Sequence, residues 1–169
     1  MIYYVLAIVI LGLDQMSKWV IYTTMSVGES IEMIPGFLYI TSIRNTGAAW
    51  NILNGQMWFF FIVSVVVLVI VIYYMQKVGR KKPLLGIALG LIIGGTLGNF
   101  IDRLVRGEVI DFIHVYLGSY SYPVFNLADS SLVVGVILIL IYSLLDAKKE
   151  KKHGNDGNHH ASGGSGGTD

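Results

Sequence analysis

Residues Met57–Met75 read MWFFFIVSVVVLVIVIYYM, nineteen positions without a charge. At 1.5 Å per residue this helix would rise about 28 Å, close to the ~30 Å hydrocarbon core of a bilayer. A helix apolar on every side is buried within protein or spans a membrane, and a chain with only 14% charged residues cannot easily cover it with polar surface. The fold class is therefore decided here: an α-helical integral membrane protein.

Working outward, Leu84–Ile101 adds eighteen residues without a charge, entered through Pro83, which suits a first helical turn. Ser130–Leu145 adds sixteen, or twenty-three counted from Pro123 with Asp129 included. Met1–Leu13 is apolar, broken by Asp14, Gln15 and Lys18 and resumed at Trp19–Tyr22. Four spans follow, at about 2–24, 57–75, 83–103 and 126–146, joined by long outer loops 25–56 and 104–125. The N-terminus lacks the basic start and A-x-A site of a cleaved leader, so the first span is expected to be retained.

Composition agrees. The chain is 54% hydrophobic and 14% charged, with mean hydropathy +0.64, against about 25% charged in soluble domains. A net charge of +1 gives no field to attract nucleic acid, and none is expected as a partner. The absence of Cys excludes disulfides, Cys-ligated metals and a Cys nucleophile.

Charge orients the spans. Lys77, Arg80, Lys81 and Lys82 lie between spans two and three, and Lys148, Lys149, Lys151 and Lys152 follow span four. These are eight of twelve basic residues, and the positive-inside rule puts them, with both termini, in the cytoplasm. Seven of eleven acids (Asp14, Glu29, Glu32, Asp102, Glu108, Asp111, Asp129) then fall in the outer half or beyond it. One domain is expected over 1–152. Residues 153–169 are Gly/Ser/Asn/His-rich and read as a disordered tail, native or appended.

In the outer loops, Phe37–Arg44 and Val109–Tyr116 are β-rich and bounded by turn residues, which predicts a small sheet at the membrane surface. Trp50, Trp58 and the Tyr residues near span ends suit the aromatic belt. Gly86, Gly90, Gly94 and Gly98 recur every fourth residue, on one face of span three, where small residues let a neighbouring backbone approach. Span three is thus the central packing helix.

Carboxylates in or beside a bilayer are rare unless they face the protein interior. Asp14 and Lys18 share a helix face, as a buried ion pair or a substrate-orienting pair. Asn99, Asp102 and Arg103 face one way at the end of span three, as a helix-end salt bridge or a layer supporting the reacting groups. Asn126-Leu-Ala-Asp129 has capping-box spacing, yet sixteen uncharged residues follow Asp129 directly. Asp111 sits in the apolar run Val-Ile-Asp-Phe-Ile, on the face of Val109 and Ile113, where solvation explains a lone acid poorly; an exposed edge-strand charge is the alternative. Asn45-Thr-Gly47 reads as a turn. His114 is the only His outside the tail, and no H-E-x-x-H, G-x-S-x-G or glycine-rich phosphate motif is present.

In order along the chain, Asp14-Gln-Met-Ser-Lys18, Asn45-Thr-Gly-Ala-Ala-Trp50, Gly94-Gly-Thr-Leu-Gly-Asn-Phe-Ile-Asp-Arg103, Gly107-Glu-Val-Ile-Asp-Phe112 and Phe125-Asn-Leu-Ala-Asp129 resemble the lipoprotein signal peptidases (signal peptidase II). The set covers about Met1 to Lys152; the family often has Phe where Trp50 stands. The resemblance implies an aspartic endopeptidase with catalytic Asp111 and Asp129. It implies substrate-binding or supporting roles for Asp14, Lys18, Asn45, Gly47, Asn99, Asp102, Arg103, Asn126 and Ala128, with no metal and no cofactor. The implied substrate is a prolipoprotein cut just before a Cys that carries diacylglycerol, at the outer face of a bacterial cytoplasmic membrane. Membrane lipids and cyclic peptide inhibitors of the globomycin type are the other implied partners, and a monomer is expected. A small ion or proton-coupled transporter, or a non-catalytic lipoprotein chaperone, is the rival reading.

Overall fold

The computed structural model describes residues 1–47, 53 and 55–161, with the backbone alone from 149 to 161. Trp50, Ala48 and Ala49 of the second motif lie outside the described residues. Among the described residues there are four long helices: α1 (Ile2–Thr24), α2 (Met57–Lys77), α3 (Pro83–Arg106) and α4 (Leu127–Ala161). Each contains a stretch long and apolar enough to cross a membrane. Four antiparallel strands, β1 (Ser30–Ile34), β2 (Leu38–Asn45), β3 (Val109–Leu117) and β4 (Tyr120–Ser121), form one sheet in that order.

α3 is the axis of the bundle. Of its most apolar window 61% is buried inside the protein, against 22% for α1, 11% for α2 and 17% for α4. The glycine stripe explains why. A Cβ at Gly90 would lie 2.8 Å from the Tyr3 carbonyl, and one at Gly94 would lie 2.8 Å from the Ala7 carbonyl. α1 therefore packs backbone to backbone on α3. Gly95 does the same toward Ala128 and Ser131 of α4. Where lipid tails are as apolar as Leu, such close approach is what drives helices together. Ala7, Val71, Met75, Leu89, Ile92 and Ile93 fill the space that remains.

The sheet covers the end where α1 and α3 finish and α2 and α4 begin; Lys77, Arg80, Lys81 and Lys82 mark the opposite end. Ile21 and Met25 pack against Ile110 and Phe112, with Leu127 beside them, and fasten β3 to the bundle. The turn from α3 into β3 needs Gly107, at φ 75°, where its N–H bonds the Arg103 carbonyl. This left-handed cap costs a residue with a Cβ about 1 kcal/mol or more.

The expected spans and both expected strands are present, with α2 and α3 running two and three residues past the bounds read from hydropathy. The pattern of residues does not reveal β1 and β4. α4 itself continues to Ala161. Ala147–Lys152 is made of strong helix formers, and once a helix exists each further residue adds a hydrogen bond without a new nucleus. Residues 162–169 lie outside the described residues.

Candidate active site

β2 and β3 pair with Ile43 opposite Asp111 and Asn45 opposite Val109, after a register shift between Ile40 and Ile43. Strand alternation sends Val109, Asp111, Val115 and Leu117 to one side, and all four line a cavity of about 670 Å³. Asp129 enters the same cavity from the first turn of α4. Asn45, Gly47, Asn99, Arg103 and Ser130 complete its polar part.

Three amides hold the two acids. Asn45 donates through Nδ2 to Asp111 Oδ2 at 2.8 Å, while its own Oδ1 accepts the Gly47 N–H at 2.9 Å. The turn read from Asn45-Thr-Gly47 is thus also a support for Asp111. Asn126 donates through Nδ2 to Asp111 Oδ1 at 2.7 Å. Asn99 donates through Nδ2 to Asp129 Oδ1 at 2.7 Å. The capping box exists as well: the Asp129 N–H bonds Asn126 Oδ1 at 2.9 Å, and the Asn126 N–H bonds Asp129 Oδ2 at 3.2 Å. Asp129 caps its helix with one oxygen and presents the other to Asn99, so capping and the site are one arrangement.

Behind these amides lies a fully buried ionic layer. Lys18 Nζ is 2.8 Å from Asp14 Oδ2, 2.9 Å from Asp102 Oδ2 and 2.9 Å from Asn99 Oδ1, with all three charged groups at 0% exposure. Asp102 is also paired with Arg106 at 2.8 Å, and Asp14 Oδ1 accepts the Ala128 N–H at 2.9 Å. The ion pair read from Asp14 and Lys18 is present, and it is larger than helical spacing could indicate. Gln15, adjacent to Asp14 in its motif but not singled out, bonds Asp102 Oδ1 and the Gly98 carbonyl. Arg103 faces the cavity instead. Its guanidinium stacks 4.8 Å over the Phe60 ring and reaches the Gly47 carbonyl at 3.4 Å.

Burial, and after it the charge of Asp129, pushes the Asp111 carboxyl up to about 7; the Asn45 and Asn126 donors and the Lys18 charge oppose the rise. Two carboxyls thus line one cavity, and Asp111 binds its proton far more tightly than an exposed carboxyl does. The remaining wall is apolar: Val115, Leu117, Pro123, Val124, Phe125, Leu132, Val133 and Val134. Of the residues singled out from sequence, six line the cavity, and Asp14, Lys18, Asp102, Asn126 and Ala128 stand directly behind them. The apolar lining escapes a sequence reading, because nothing distinguishes a cavity wall from an ordinary membrane-facing residue in a single sequence.

A family model described as "Signal peptidase (SPase) II" matches residues 6–145. The chain is 57% identical over 152 residues to the lipoprotein signal peptidase of Bacillus pumilus (strain SAFR-032), covering 90% of this chain and 98% of that protein. A solved bacterial membrane enzyme superposes with a TM-score of 0.83 at 46% identity, covering 87% of this chain and 90% of its own. A second gives 0.78 at 47% identity, covering 84% and 92%. A four-helix membrane protein whose cavity is lined by residues of four of the five ordered motifs, with the first directly behind it, and whose relatives agree along nearly its whole length, belongs to the signal peptidase II family of membrane proteases.

Proposed function

We propose that Asp111 and Asp129 are the catalytic pair with which this membrane protease removes signal peptides from prolipoproteins. The observation that carries the reading is the sharing of Asn126 by both acids inside one half-apolar cavity. Two carboxyls held together in a low-dielectric site bind one proton between them. Asp111, with its raised proton affinity, keeps that proton. Asp129 stands in the first turn of α4, where the helix's positive end favours a negative charge. Asp129 then takes a proton from a water that attacks the scissile carbonyl. Asp111 donates its hydrogen bond to the carbonyl oxygen and later helps the amine leave. The same site gives Asn45, Gly47, Asn99, Asp102, Arg103, Asn126, Ala128, Asp14 and Lys18 supporting roles.

The apolar wall suits a substrate whose Cys carries diacylglycerol, with the scissile bond just before it. The basic cluster at the opposite end argues that the cavity faces outward from a bacterial cytoplasmic membrane, with both termini inside. We read 1–152 as a single domain acting as a monomer among membrane lipids, and the cavity as the site for globomycin-type cyclic peptides. No observation favours the transporter: its acids would be spread through the bilayer, whereas Asp14, Asp102, Asp111 and Asp129 crowd the sheet-side half.

The test is a gel-shift assay with matched lipidated and unlipidated precursors. Cleavage of the lipidated form alone is expected; equal cleavage of both would remove diacylglycerol from the reading, and cleavage of neither would remove the activity. A second expectation concerns pH. Once pH rises past about 7, Asp111 loses the proton it must donate, and the rate falls about tenfold per unit. Stability moves the same way. The folded value lies above the ordinary 3.8, so the stability linked to Asp111 is complete below about 4 and lost as pH rises through about 7. A pH–rate profile flat from 6 to 9 would contradict this.

A further inference from the structure

The acid-pair reading, on which this inference rests, gives the buried charge of Lys18 a supporting role without saying what it does. Lys18 is fully buried, and its three N–H donors meet three acceptors, on Asp14, Asp102 and Asn99. Burying an ammonium is costly, and a leucine would fill the space more cheaply if only packing mattered. The third acceptor indicates why the charge is there. Asn99 Oδ1 receives both the Lys18 ammonium at 2.9 Å and Asn126 Nδ2 at 3.2 Å, and Asn99 Nδ2 then has one direction left, toward Asp129.

An amide can turn over at almost no steric cost, because its oxygen and its NH2 are nearly the same size. Next to an ammonium it cannot, since an ammonium has donors and no acceptor. We propose that Lys18 is a positioning residue that locks the Asn99 amide with its oxygen inward and its NH2 on Asp129, so that the acid pair is held in a single hydrogen-bonding arrangement. With Lys18 gone, Asn99 is free to turn its oxygen toward Asp129. That orientation is satisfied only if Asp129 carries the proton, which takes the base out of the reaction. Asn126 also loses the acceptor that holds its NH2 between Asn99 and Asp111.

The surrounding charges make this a local device. From α1, Asp14 faces Lys18, and from α3, Asp102 faces it with Arg106 on the far oxygen. Two acids and two cations cancel, so the layer contributes no net charge to the pair. On the cavity side stand Arg103 from α3, Asn45 from β2, Asp111 from β3, and Asn126 and Asp129 at the start of α4.

A double-mutant cycle in the intact protein tests the proposal. Asp14→Asn serves as background, because with Lys18→Met it leaves Asp102 paired to Arg106 and the layer neutral, as it is in the parent protein. Lys18→Met, Asn99→Leu and the two together are made in it. Each single change is expected to lower kcat by about 100-fold with KM within about threefold, the scale of losing one aimed donor. Together they should be no worse than about threefold below either alone, because both remove the same hydrogen bond. Against the parent protein, whose layer is equally neutral, Asp14→Asn/Lys18→Met should also move the alkaline limb of the pH–rate profile upward by about one unit, because the proton is held more tightly. Effects that multiply to about 10⁴-fold, with the limb unmoved, would overturn the proposal. So would loss of cooperative melting in Asp14→Asn/Lys18→Met, which would make Lys18 a scaffold residue. Activity surviving Asp111→Asn or Asp129→Asn would sink the acid-pair reading instead, and the cycle would still report whether Lys18 acts through Asn99.

Discussion

Asp111→Asn and Asp129→Asn are each expected to lower prolipoprotein cleavage by about 10⁴-fold or more while the protein still melts cooperatively. The size follows from the pair acting as one unit: removing either member removes both the activated water and the acid for the leaving amine, as single deletions in other cooperating catalytic sets do. The fold survives because asparagine keeps the shape. At position 111 it loses one of two acceptors, used by Asn45 and Asn126, at a cost of about 1 kcal/mol. It also removes a carboxyl whose charge is costly above pH about 7. The thermal midpoint of Asp111→Asn at pH 8 should therefore stay within a few degrees of the parent protein. At position 129 the helix cap loses part of its negative end, worth about 0.5–1 kcal/mol. Turnover by either variant within tenfold of the parent would show that the assignment is wrong.

Gly98→Val is expected to remove about 3 kcal/mol of stability and more than about 100-fold of activity. The new Cβ would collide with the Asp14 carboxylate and come 3.2 Å from the Ala128 Cβ. Asp14 cannot yield, since it is held by Lys18 and by the Ala128 N–H. The alternative is for α4 to shift, and α4 starts with Asn126 and Asp129. Packing and chemistry therefore fail together. Gly12→Val supplies the control: nothing lies within 4 Å of its Cβ, and the change should stay within about 0.5 kcal/mol. Melting curves and cleavage rates for the two variants, side by side, check the comparison. Equal behaviour would mean that the α1–α3–α4 contact does not control the site.

The spans are legible because membrane helices announce themselves through length and charge, and the glycine stripe because its spacing matches the helix repeat. The end of α4 is not legible, as charge run and polar composition mark where the bilayer stops rather than where the helix does. β1 is hidden for another reason. All five of its residues are exposed, so no inside–outside alternation exists to read, and its pairing with β2 defines it. The Asp14–Lys18 pair can be inferred from i,i+4 spacing, but Asp102, eighty-four residues from Lys18, belongs to a partnership only the folded chain creates. Capping and chemistry are rivals at Asn126 and Asp129 when spacing alone is considered, and the geometry makes them compatible because a carboxylate has two oxygens.

Val133 and Val134, which line the cavity, are also 59% and 46% exposed on the flank of α4. A site with its doorway on the greasy flank is reached by sideways drift within the leaflet. For such an enzyme the quantity that sets the encounter frequency is the number of precursors per unit area of bilayer. Adding inert lipid or detergent at fixed precursor should slow turnover by surface dilution, even though the molar amounts in the tube are unchanged.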